Sequence, residues 1–116
     1  MSERLAHLAR LPAGWNSYKA VAISEDAIAA ARELLARFPE GTPIPCVVPT
    51  VRGGVQLEWH AGGVNIEVYV GVRGDLKFFA GNAESGEEFE GSAHGNEALL
   101  EQWISRVGVA LGSLVR

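Results

Sequence analysis

The stretch TVRGGVQLEWHAGGVNIEVYV (50–70) decides how this chain folds. From Val55 onward its apolar residues recur at every second position: Val55, Leu57 and Trp59, then Val64, Ile66, Val68 and Val70. Gln56, Glu58 and His60, and later Asn65, Glu67 and Tyr69, fill the alternate positions. Successive side chains of a strand point to opposite faces, so this pattern predicts two strands, each with one buried and one solvated side. Ala61-Gly62-Gly63 between them suits a hairpin turn, because glycine reaches positive φ without a Cβ clash. Pairing Trp59 with Val64, Leu57 with Ile66 and Val55 with Val68 keeps every apolar side chain on one face, and a slip by one residue destroys the match. A register two residues removed would instead set Glu58 opposite Glu67.

Just upstream, Arg52-Gly53-Gly54 admits three readings: a phosphate cradle, an RGG element for RNA, or a tight turn. A phosphate-binding glycine loop leads from a strand into a helix N-terminus, with glycines spaced as GxGxxG or GxxxxGK[ST]. Here the glycines lead into an alternating strand, and a lone RGG lacks the repetition that gives such segments their charge density. A turn is expected, joining a strand at 46–51 to the Val55 strand. Pro49 in that first strand fits only an edge or a bulge. Downstream, Arg73-Gly74-Asp75 reads as the next turn, before a fourth strand with Leu76, Phe78 and Ala80 on one face. Residues 87–91 offer a short fifth strand whose carboxylates suit an edge.

Outside the sheet the period changes to that of a helix. A short helix is expected over 2–10, ended by Pro12 and Gly14. Ser24 is a good N-cap for a helix over 24–38, with Glu25 and Asp26 at the positive end of its dipole. Ile28, Ala31, Leu35 and Phe38 form its apolar stripe. Asn96 is placed to cap a last helix from Glu97, with Leu99, Leu100, Trp103, Ile104, Val107 and Leu111 on a broad apolar face. The fold class predicted is α+β: one domain over 1–116, an antiparallel meander of four or five strands with N- and C-terminal helices packed on one face.

The totals fit that size. A chain of 116 residues with 47% apolar residues can bury a core without metal or disulfide staples. Cys46 is the only cysteine, so no internal disulfide or all-cysteine zinc site can form. A net charge of −4 argues against nucleic acid or an anionic membrane as partner. With no apolar run suited to a signal peptide or a membrane span, the chain is expected in the cytoplasm.

Chemistry is weakly signalled. No HExxH, clustered His/Cys spacing or GxSxG is present, so no catalytic, cofactor-binding or metal-ligating residue is assigned and no cofactor is expected. Cys46 reads as a small, half-buried apolar residue. Glu58, His60, Glu67 and Tyr69 should share the solvated face of the hairpin. They form a candidate ligand site, because paired carboxylates can divide acid and base roles. The bland reading of the same residues is an ordinary solvated sheet face. Trp15 and Tyr18, two loop aromatics, either anchor their loop or contact a partner. Glu87, Glu88 and Glu90 are a solvated edge or a surface for a basic partner.

The loop GWNSY (14–18), the capped helix after it and VVPTVRGGVQLEW (47–59) resemble an uncharacterised group of small bacterial proteins. In that group a GWxxY-like loop, a P-x-P entry and a GGxxLEW hairpin follow in this order. The resemblance covers roughly residues 11–72. It implies the same fold and a bacterial or phage origin, and it carries over no activity or catalytic residue. The expected function is a non-enzymatic protein-interaction module, of antitoxin, immunity or inhibitor type, with a protein partner. The alternatives are a small-molecule binder or minor enzyme using the polar sheet face, and a homodimer paired through edge strands or helices.

Overall fold

The computed structural model describes residues 2–15 and 21–115. Two helices, α1 (Ser2–Ala9) and α2 (Glu25–Arg37), precede five strands. These are β1 (Cys46–Pro49), β2 (Val55–Ala61), β3 (Val64–Val70), β4 (Leu76–Asn82) and β5 (Glu88–Ser92), and α3 (Glu97–Val115) follows. The strands pair antiparallel in chain order, β1-β2-β3-β4-β5, as the predicted meander requires. Among the described residues no helix is long and apolar enough to cross a membrane.

The alternation partitions the sheet as expected. Val55, Leu57, Trp59, Val64, Ile66, Val68, Val70, Phe78 and Ala80 are all buried, and they meet Ala27, Ile28, Ala31 and Leu34 of α2 and Leu100, Trp103, Ile104 and Val107 of α3. Leu5 and Leu8 of α1 complete the core. No polar or charged residue is buried among them. Among the described residues no helix covers the opposite face of the sheet.

The hairpin differs from the expected pairing by two residues. Trp59 lies opposite Ile66, Leu57 opposite Val68 and Val55 opposite Val70, so Ala61 and Val64 close the turn. Gly62 (φ 57°) and Gly63 (φ 82°) supply the two positive φ angles of a type I′ turn. The twist of that turn matches the flanking strands, so the two-residue loop wins over the longer one first expected. Because the shift is by two, every apolar residue keeps its face.

Gly53-Gly54 is a turn. Thr50 N–H donates to the Gly54 carbonyl (3.0 Å), while the Thr50 hydroxyl accepts from Gly54 N–H (3.0 Å), ending β1 at Pro49 rather than at Val51. A Cβ on Gly54 would stand 2.3 Å from the Val70 carbonyl oxygen, so no side chain fits there. The Gly53 carbonyl accepts from Ser24 N–H (2.8 Å), tying the turn to the start of α2. Ser24 caps α2 as expected, its hydroxyl accepting from Ala27 N–H (3.1 Å). Asn96 does not repeat this at α3: its side chain donates to the Ser92 carbonyl (2.9 Å). The backbone N–H groups of Glu97 and Gly95 hold the Glu97 carboxyl below its usual range, so Glu97 serves the α3 N-terminus. Cys46 is exposed rather than half-buried, because its register opposite Glu58 puts it on the uncovered face.

Candidate interaction face

The strand registers place the polar residues in rows across the uncovered face. One row reads Cys46, Glu58, Glu67, Phe79, Glu90 from β1 to β5. The row on one side of it holds Gln56, Tyr69, Lys77 and Ser92, and the row on the other holds His60, Asn65, Gly81 and Glu88. Glu58, His60, Glu67 and Tyr69, expected to share a face, are therefore brought together. Glu88 and Glu90, read from the sequence as a separate edge, belong to the same surface.

Glu58 and Glu67 are direct cross-strand partners. At such positions the Cβ atoms lie roughly 5 Å apart, and like charges destabilise the pair. Each carboxylate is steadied by a donor on its own strand. The Gln56 amide donates to Glu58 and the Tyr69 hydroxyl donates to Glu67, each across 2.5 Å. His60 sits at the end of the pair, its Nδ1 hydrogen-bonded to Asn65 Oδ1 (2.8 Å) and its Nε2 3.9 Å from Glu58 Oε2. The Tyr69 phenol is pushed up to about 12, chiefly by its hydrogen bond to Glu67, then by burial and by the charges of Glu67, Glu58 and Glu90.

Glu87 leaves the expected acidic trio. It lies one position out of phase with Glu88 and Glu90, so it turns to the helical side and meets Arg106 Nη1 at 2.7 Å. The Arg106 guanidinium lies over the Trp103 ring, 4.3 Å from its centroid. Strand β5 accordingly begins at Glu88 and not at residue 87. Trp15 is half-buried, its indole N–H donating to the Val21 carbonyl (3.2 Å). Tyr18 lies outside the described residues.

Phe79 and Lys77 were passed over in the sequence. Both alternate with Phe78 on β4, so the strand's period of two is the signal that places them on the open face. With Tyr69 and Glu90 they border a shallow hollow of about 240 Å³. Larger hollows, about 510 and 570 Å³, flank residues 38–43 on the helical side, and one of about 420 Å³ lies beside Tyr69, Lys77 and the turns at Thr50–Gly54 and Gly71–Asp75. Among the described residues no three His, Cys, Asp or Glu side chains are gathered to hold a metal ion. The chain matches no family model, and neither a curated protein nor a solved structure shows a match to it.

Proposed function

We propose that the chain is a non-enzymatic protein-interaction module that offers the uncovered face of its sheet to a basic partner, in the manner of an antitoxin, immunity protein or inhibitor of bacterial or phage origin. The observation that carries this reading is the Glu58–Glu67 pair, two half-buried carboxylates set opposite each other in adjacent interior strands. Such a pairing costs stability locally, and departures from local rules concentrate where a surface is used. A cationic side chain from a partner relieves the repulsion and gains from both carboxylates at once. Phe79 and Tyr69 supply aromatic area beside the charges, as interface centres do.

The test is recovery of the partner by affinity purification from the native host, repeated with a Glu58→Gln/Glu67→Gln/Glu90→Gln variant. One stoichiometric partner is expected with the parent protein, bound less tightly as salt rises. The variant should stay folded and lose about tenfold or more in affinity, two or three charge pairs being removed. Equal retention of the partner by the variant removes the open face from consideration.

The alternative of a small-molecule site draws on the hollow beside Tyr69, Lys77 and Glu90. At about 240 Å³ it lies below the range of roughly 300–1,000 Å³ usual for ligand pockets, and the adjoining hollow of about 420 Å³ includes Tyr69 and Lys77 but not Glu58, His60 or Glu67. A metabolite thermal-shift screen that stabilises the parent but not Glu90→Gln would favour this alternative.

A further inference from the structure

Strand β5 closes one end of the sheet, and its hydrogen-bonding phase is fixed at both ends. Asn82 N–H donates to the Glu87 carbonyl (2.9 Å) and Ala93 N–H to the Leu76 carbonyl (3.1 Å). With Lys77 opposite Ser92, Phe79 opposite Glu90 and Gly81 opposite Glu88, the backbone groups of Phe89 and Gly91 face β4. Those of Glu88, Glu90 and Ser92 face outward. The Ser92 carbonyl accepts from the Asn96 side chain, but among the described residues nothing takes up the N–H and C=O of Glu88 or Glu90.

The other end of the sheet is closed by construction. On β1 the outward residues are Val47 and Pro49, since the Thr50–Gly54 bond sets the phase. Arg4 Nε of α1 donates to the Val47 carbonyl (3.0 Å), and Pro49 has no N–H. One edge is blocked, while the other keeps two consecutive outward positions of its ladder free.

We infer that β5 receives an extended basic segment of a partner protein as a sixth strand, which deepens and rests on the protein-interaction reading above. Backbone bonds to Glu88 and Glu90 supply the docking, and lysine or arginine at alternate positions of the incoming segment falls beside their carboxylates on the open face. Charge complementarity selects the occupant. A second copy of this chain pairing β5 to β5 would set Glu88 and Glu90 beside their own equivalents, where like charges repel. An acidic segment fails for the same reason.

The test uses the intact protein and a short synthetic peptide alternating lysine with valine, alongside the same peptide N-methylated at the amides that face the edge. The parent peptide is expected to bind with backbone amide NMR shifts centred on Glu88 and Glu90. N-methylation should weaken it roughly tenfold or more, because the bonds it removes are the docking bonds. The Glu88→Lys/Glu90→Lys variant should weaken it by a similar factor, and glutamate in place of the lysines should abolish binding. Absence of parent-peptide binding, equal binding of the N-methylated peptide, or shifts confined to Glu58 and Glu67 would each overturn strand addition. The open-face reading is judged separately by partner retention in a Glu58→Gln/Glu67→Gln variant, which leaves β5 untouched, so the two can fail independently. The N-methylated arm leaves the protein unchanged, so misfolding of the charge variant cannot confuse the result.

Discussion

The two faces of the sheet are drawn from the same backbone, residue by alternate residue, yet they behave as different materials. On β2, Val55, Leu57 and Trp59 are sealed under α2 and α3, while Gln56, Glu58 and His60 stand on an uncovered surface. On β3, Val64, Ile66, Val68 and Val70 are buried, while Asn65, Glu67 and Tyr69 are not. The covered face follows the rules of a core throughout, with apolar contacts and no buried charge. The open face breaks one by opposing two carboxylates in neighbouring strands. Stability is thus concentrated on one side, which leaves the composition of the other less constrained by folding.

Truncation on one strand gives the harshest trial of this division. Leu57→Ala removes a fully buried side chain and should cost about 2–5 kcal/mol in chemical denaturation. Its neighbour Glu58→Ala should change stability by less than about 0.5 kcal/mol, or raise it slightly as the repulsion from Glu67 goes. Similar losses at the two positions would mean that the open face is also structural. A smaller loss, about 1 kcal/mol, is expected for Ser24→Ala, which removes the cap holding the first turn of α2. The Ser24 hydroxyl also donates to the Val72 carbonyl, so this variant should loosen hydrogen-exchange protection at the β3–β4 turn while leaving the open face unchanged.

The faces themselves were legible in the sequence because alternation is a one-strand property. Register is a two-strand property, and a shift by two leaves the alternation intact, so the pattern alone could not choose between Trp59–Val64 and Trp59–Ile66. The geometry of Gly62-Gly63 made that choice. The register decides the site, since only the realised one sets Glu58 against Glu67. The exposure of Cys46 is not legible in the sequence because its strand is short and has adjacent apolar residues, Val47 and Val48, which hide its phase. The separation of Glu87 from Glu88 and Glu90 follows from the alternation along β5, but its partner Arg106 depends on where α3 runs, a tertiary fact with no local trace. For the same reason the merging of Glu88 and Glu90 with the hairpin carboxylates into one surface waited on the strand order.

The smallest effect is also the most specific to the open face. Tyr69 is 43% exposed, yet its phenol is raised from 10.0 to about 12, first through its hydrogen bond to Glu67. A raised folded-state value means the folded protein holds the proton after the unfolded chain has released it. The associated stabilisation is therefore fully present below pH 10, and it is lost as pH rises from about 10 to about 12. Following phenolate absorbance against pH should show Tyr69 ionising near the top of that window. Glu67→Gln keeps an acceptor for the hydroxyl but removes the charge, so the transition should move part of the way back. Glu67→Ala removes both and should move it further. By relieving the opposed charges, Glu67→Gln should also raise stability near neutral pH by a few tenths of a kcal/mol. Identical titrations in all three proteins would show that Tyr69 and Glu67 are not joined in solution, leaving the carboxylate pair without its donor on β3.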